Sequence, residues 1–176
     1  MSTLALFPSE LASLADSTDA QNTPRDLALD LGRFELDVCS NPRSHIQADR
    51  SYQLERGEDG LALPWTRPDR SPASVWCNGP YSDPLPWCAR LREHSGPWAA
   101  LWKLDPTTAW FRLLVMPPDA WGRPTDRVYW APFAKRLAFE RAGNVGSADF
   151  PSVLVWRRWQ PSAAVLTRLL TPRSEQ

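Results

Sequence analysis

Apolar residues in this chain fall into short clusters separated by prolines and charges, and the spacing inside each cluster predicts its element. Leu4, Leu11 and Leu14 give residues 1–21 a short helical pattern within a polar arm. Thr23-Pro24 then opens a second helix, with Thr23 as the cap and Pro24 at the first helical position. Leu27, Leu29 and Leu31 follow, and Gly32 stops it. The alternation Phe34-Glu35-Leu36-Asp37-Val38-Cys39 predicts the first strand, which Asn41-Pro42 ends. Residues 43–64 are polar and charged and read as loop with a short helix. Ser74-Val75-Trp76-Cys77, bounded by Pro72 and Gly79-Pro80, reads as a buried strand.

Leu85, Cys88 and Leu91 have helical spacing over 85–94, and Trp98-Ala99-Ala100-Leu101-Trp102 is a second buried strand. A helix begins over 107–111. Residues 116–125 hold three prolines and Gly122 and form a loop. Val128-Tyr129-Trp130, Leu137-Ala138-Phe139 and Val153-Leu154-Val155-Trp156 are further strands, and 161–170 predicts a last short helix. Strands alternating with helices imply a three-layer α/β fold, a mostly parallel sheet with antiparallel pairing near the C-terminus. The domain layout expected is an arm at 1–21, the main domain at 22–160 with a candidate recognition loop at 116–136, and a helix and tail at 161–176.

Composition narrows the class. With 43% hydrophobic residues in 176, the chain has enough apolar material for one real core. Twenty basic and 20 acidic residues exclude a protein that coats nucleic acid by net charge alone, while leaving room for a local basic face. Only Lys103 and Lys135 are lysines; the bias to Arg suits phosphate and guanine edges, and equally suits a GC-rich genome. Cys39, Cys77 and Cys88 show no CxxC spacing, and His45 and His94 are the only histidines, so no metal site is expected. No targeting pattern and no apolar run near 18 residues occur, which predicts a soluble cytoplasmic protein without a membrane partner.

Two points fall where an open α/β sheet binds ligands, beyond the carboxyl ends of its strands. One is Asp37, and the other is Asn78-Gly79-Pro80-Tyr81-Ser82. Each also has an ordinary reading as a turn. The chemical reading is that the Asn78 side-chain oxygen and the Gly79 carbonyl accept hydrogens of an exocyclic amine. Those two acceptors let its nitrogen leave the plane and become nucleophilic. Tyr81 can stack on an extruded base, and Pro80 stiffens the turn.

The ordered words Thr23-Pro24, Phe34 to Cys39, Asp59-Gly60-Leu61 with Trp65, and Asn78 to Ser82 with Trp87 resemble the phage and prophage DNA N-6-adenine methyltransferase family. Thr107 to Phe111, Arg136 to Phe139 and Phe150-Pro151-Ser152 extend the resemblance over roughly residues 22–158. It implies a Rossmann-like methyltransferase fold, S-adenosylmethionine as methyl donor, and double-stranded DNA adenine as substrate. Cytosine N4 methylation shares the chemistry. A bacterial host cytoplasm and a place in restriction-modification would follow from a phage origin. The resemblance assigns Asn78, Gly79, Pro80 and Tyr81 to the catalytic turn, and Thr23, Pro24, Asp37, Cys39 and Asp59 to the donor site. Two departures stand out. No GxGxxG loop follows the first strand, and Gly79 replaces the family's usual proline. If Gly79 serves only through its carbonyl, a proline there should be accepted; a glycine chosen for positive φ should not tolerate it. The departure also keeps open a catalytically inactive relative that binds DNA or a protein.

DNA contacts are expected from Ser82, Arg123, Arg127 and Arg136, the arginines lying on the 116–136 loop, with a solvated surface as the alternative. Arg157, Arg158 and Arg168 are further phosphate candidates or plain surface. Of the ten tryptophans, Trp76, Trp98, Trp102, Trp130 and Trp156 are assigned to the core, and Trp65, Trp87 and Trp121 to positions closer to ligand. His45 and His94 are assigned to the surface, and Cys39 and Cys77 to small buried sites.

Overall fold

A computed structural model describes residues 22–116, 127–141, 144–147 and 149–170. The expected N-terminal arm, most of the 116–125 loop with Trp121 and Arg123, and the C-terminal tail lie outside the described residues. Six strands form the main sheet: β1 (Arg33–Ser40), β2 (Gln47–Gln53), β3 (Val75–Cys77), β4 (Trp98–Lys103), β5 (Tyr129–Pro132) and β8 (Ser152–Arg157). Their order is β2-β1-β3-β4-β8-β5. Every pairing from β2 to β4 is parallel, and β8 runs antiparallel to both β4 and β5. A separate antiparallel hairpin joins β6 (Ala138–Arg141) to β7 (Asn144–Ser147). The helices are α1 (Arg25–Leu31), α2 (Leu85–Glu93), α3 (Ala109–Leu114) and α4 (Ala163–Leu170).

Alternation along the strands sorts the core into two halves. Trp98, Ala100 and Trp102 of β4, with Val153 and Val155 of β8, pack on one face against Trp87, Cys88 and Leu91 of α2 and Trp110, Phe111 and Leu114 of α3. Ala99, Leu101 and Leu154 face the other way, toward Leu27 and Leu31 of α1 and Val165 and Leu169 of α4. The sheet is thus the middle of three layers, as the hydrophobic pattern predicts. In β1, Phe34 belongs to the second face, while Leu36 and Val38 belong to the first. At that change of side the amides of Glu35 and Leu36 share the Ser74 carbonyl, each at 3.1 Å, as in a bulge.

Several expectations need correction. Strand β2 lies where loop and short helix were expected, ahead of a 3-10 turn at Leu54–Arg56; it is an edge strand with no fully buried residue, so neither face carries an apolar alternation. Thr23 does not cap α1: the cap position is Pro24, which makes no side-chain cap bond. Gly32 does end that helix, with φ 77°. Trp130 is 42% exposed because β5 is the other edge of the sheet, whereas Trp65 and Trp87 are buried. His94 is half-buried and bonds the Ala73 carbonyl at 2.8 Å.

The segment between β2 and β3 is fastened by α2. The Arg90 guanidinium donates to the carbonyls of Leu61 and Leu63 and lies 4.6 Å from the Trp65 ring centroid. Trp65 Nε1 donates in turn to the Gly60 carbonyl at 2.8 Å. Gly60 is drawn so close to β1 that a Cβ would lie 1.8 Å from the Val38 carbonyl oxygen. Backbone cannot yield there as a flexible side chain would, so Gly60→Ala should destabilise the fold by about 1–3 kcal/mol or more. Thermal melting of the variant should fall by several degrees; an unchanged melting temperature would show the loop to be loosely held.

Candidate active site

The chain steps from β1 outward to β2, then returns to place β3 on the other side of β1. The strand order therefore reverses between β1 and β3, and a crevice opens beyond their carboxyl ends. Val38, Cys39 and Ser40 end β1, and Cys77 ends β3, so Asn78 is the first residue past the sheet. Polar side chains stitch the segment before α1 across this edge. Asn78 Nδ2 donates to Thr23 Oγ1 at 3.3 Å, and Asn41 Nδ2 donates to Asn22 Oδ1 at 2.6 Å. Thr23, expected as a helix cap, is spent on Asn78 instead, and both Asn22 and Thr23 are buried.

The Asn78 amide is held from its other end as well. Tyr81 donates its hydroxyl to Asn78 Oδ1 at 3.1 Å. Burial pushes the Tyr81 phenol well above its ordinary range, so it remains a donor at neutral pH. Its ring meets Phe150 and Phe139 edge-on, with centroids 5.4 and 6.3 Å away, and lies 6.3 Å from Trp102. Between Asn78 and Tyr81, Gly79 is buried and its φ lies outside the left-handed region. A Cβ on Gly79 would sit 3.1 Å from both Trp102 Cη2 and Trp87 Cγ. The Gly79 N–H points at the Cys77 sulfur. A positive φ is therefore not the reason for this glycine, and a side chain here would press on two indoles, which would have to give by a few tenths of an ångström.

Asp37 is 2% exposed. Its carboxylate accepts from the Cys39 amide at 3.3 Å and the Ser44 hydroxyl at 3.2 Å, and also from Ser40. All these donors are neutral, and burial pushes the carboxyl up to about 6. Cys39 is half-buried at the same strand end. Asp59 is exposed; its carboxylate accepts the Leu61 amide at 2.8 Å, and the adjoining Gly60 brings this turn against Val38. The Pro24 carbonyl accepts the Ala28 amide at 2.8 Å, the first bond of α1.

The structure gathers Thr23, Asp37, Cys39, Asn78, Gly79 and Tyr81 at one strand edge. Asn22, Ser44, Phe139 and Phe150 join them without having been singled out for this role from the sequence. A polar residue facing the crevice rather than a strand period carries no signal of its own. Ser82 and Arg136 are exposed, and Arg136 follows the carboxyl end of β5. Arg127 precedes β5 and lies at the opposite edge. Arg157 and Arg158 also lie at that far edge, bonding the carbonyls of Arg92 and Ser95 at 3.2 and 2.7 Å. Arg168 pairs with Asp26 and Asp30 and ties α4 to α1. No group of three or more metal-ligating side chains occurs among the described residues, and no described helix is long and apolar enough to cross a membrane.

A mostly parallel sheet between two helical layers, with an Asn-Gly-Pro-Tyr turn at the point where strand order reverses, defines a Rossmann-like methyltransferase. The chain belongs to the DNA N-6-adenine-methyltransferase (Dam) family, whose family model matches residues 13–166. A search among curated proteins finds no match. Family membership makes this a DNA methyltransferase.

Asp37 binds its proton more tightly when folded than when unfolded, because its ordinary value is 3.8. Its contribution to stability therefore falls as pH rises from about 4 to about 6 and stays low above that, a loss on the order of 3 kcal/mol. Asp37→Asn should melt higher than the parent at pH 7.5, and the gap should close as pH approaches 4. Parallel melting curves across that range would remove Asp37 as an uncompensated acid.

Proposed function

We propose that the protein transfers a methyl group from S-adenosylmethionine to the N6 amine of adenine in double-stranded DNA. The observation that carries this reading is the Asn78 amide, fixed at both ends by Thr23 and Tyr81 at the switch point of the sheet. An exocyclic amine is a weak nucleophile because its lone pair is delocalised into the ring. Asn78 Oδ1 and the Gly79 carbonyl would accept its two hydrogens, which pulls the nitrogen toward a tetrahedral geometry. Tyr81 would carry the extruded base on its ring, with Phe139 and Phe150 closing the aromatic wall beside it.

Asp37 supports the choice of donor. A buried carboxylate that receives only neutral donors suits a cationic ligand, whose charge would offset its desolvation. Thr23, Pro24, Asp37, Cys39 and the Asp59 turn would hold the donor along the carboxyl edge of β1. When bound, S-adenosylmethionine supplies a methyl already activated on a sulfonium, so the protein's own contribution is orientation and exclusion of water. Ser82, Lys103 and Arg136 stand at this same edge and would meet the DNA backbone.

Duplex DNA incubated with the protein and donor, then digested to nucleosides, should contain N6-methyladenine. N4-methylcytosine in its place would move the substrate to cytosine, and no methylated base would point to an inactive relative. Asn78→Ala should lose about 10²–10³ in rate while its melting temperature and donor affinity stay close to the parent's. Retention of the parent rate would remove Asn78 from the chemistry. Affinity for duplex DNA should also fall steeply between low and moderate salt, despite the zero net charge, as counterions are released from phosphates. A flat salt dependence would argue against contact with the duplex backbone.

A further inference from the structure

We propose that Trp102 is a positioning residue for the Asn78–Tyr81 turn, its indole walling the backbone of Gly79 so that a glycine keeps one conformation. The inference rests on the reading of that turn as the acceptor of the target amine. Glycine has the widest backbone freedom of any residue, and a turn that must present two acceptors in fixed places needs that freedom removed. No Cβ at 79 does this. What closes the space is aromatic: Trp102 Cη2 and Trp87 Cγ each lie 3.1 Å from where a Cβ would project, and Trp87 Cδ1 lies 3.2 Å away.

The two indoles are not equivalent. Trp87 also reaches Gly60, with its Cη2 atom 3.0 Å from the Cβ direction there, so it serves the loop below β1 as much as the turn. Trp102 packs on Trp110 of α3, with ring centroids 5.8 Å apart, and presents the far end of its indole to the turn. It touches Gly79 through Cη2, and its ring lies 6.3 Å from that of Tyr81, so it borders the turn on both sides of Pro80. It sits fully buried on β4, and its Nε1–H finds no hydrogen-bond partner among the described residues. A buried donor left unbonded is destabilising, and a phenylalanine at this strand position would avoid it. The position therefore uses the length of the indole, not its N–H.

Four proteins test this: the parent, Trp102→Phe, Gly79→Ala and the double variant. Phenylalanine lacks the Cη2 atom and opens space beside Gly79. Alanine adds a Cβ into that space, keeps the N–H toward Cys77, and meets no φ strain. In single-turnover assays with S-adenosylmethionine and duplex DNA, Trp102→Phe should lower the rate by about ten- to a hundredfold. Its donor affinity, read by calorimetry, should hardly change. Gly79→Ala, with Trp102 intact, should be impaired by crowding and melt lower than the parent. The double variant, in which the Trp87 contacts remain, should recover part of the lost rate and melt higher than the sum of the single effects predicts. A parent-like rate in Trp102→Phe, or a double variant no better than the single, would overturn the assignment. A parent that leaves DNA unmethylated sinks the reading of the site instead, while additive melting temperatures across the four proteins sink the clamp itself.

Discussion

Trp87 lies between two glycines, and the crevice depends on that fit. One end of its indole packs on Gly60, which is pressed against the Val38 carbonyl; the other packs on Gly79, directly after Asn78. The loop below β1 and the turn after β3 therefore keep their separation through a single rigid side chain. The same helix supplies the rest of the support. Arg90, one turn further along α2, holds the Leu61 and Leu63 carbonyls and lies over Trp65, whose N–H secures the Gly60 carbonyl. Cys88 and Leu91 bury the helix against the sheet. A nine-residue helix thus positions both sides of the switch point, and its own placement follows from ordinary apolar periodicity.

Two carboxylates on β1 show how differently one strand treats its charges. Glu35 is partly exposed and accepts from Arg67 and from the Ser74 amide, and the Arg67 guanidinium holds it down to about 2. Asp37, two residues on, is buried among neutral donors and pushed the other way. Folding gains from the first and loses from the second at neutral pH. An acid kept at a loss, at the one place where the strand order reverses, is what a site for a cationic ligand requires. The proposed donor provides such a charge, and stability is the quantity given up for it.

The sequence made the buried elements legible and the edges illegible, for a physical reason. Strands β3, β4 and β8 carry apolar runs because both of their faces are covered, β1 alternates apolar with polar residues, and α2 shows its helical spacing because one side is buried. Strand β2 pairs on one side and buries none of its residues fully, so Gln47 to Gln53 give no period to read. Trp130 misleads for the same reason: an aromatic in a strand reads as core until the strand turns out to be an edge. In the site, Asn78 is visible because it follows a strand end, and Asp37 because it lies near the end of a strand. Ser44, Asn22, Phe139 and Phe150 come from other segments, and only the fold brings them to that edge. The arginines divide by edge as well. Arg157 and Arg158 bind the carbonyls of Arg92, in the last turn of α2, and of Ser95 just beyond it, at the amino edge, a role that no local pattern distinguishes from phosphate contact.

Gly79 shows how far a local reading can go. Considered alone, a glycine in a turn suggests either a positive φ or an indifferent position, and both alternatives look only at its own backbone. The structure gives a reason that belongs to its neighbours: two indoles, one from α2 and one from β4, fill the direction in which a side chain would grow. Freedom conferred by the missing side chain is removed again by packing from outside. The geometry of the turn then depends on residues eight and more positions from Gly79 in sequence, and the small residue at 79 and the large one at 102 have to be read as a pair. Enlarging one without shrinking the other crowds a buried turn, and shrinking Trp102 alone releases the glycine. A departure from a family pattern is therefore not by itself a loss of function; its meaning lies in what occupies the space that the usual side chain would take.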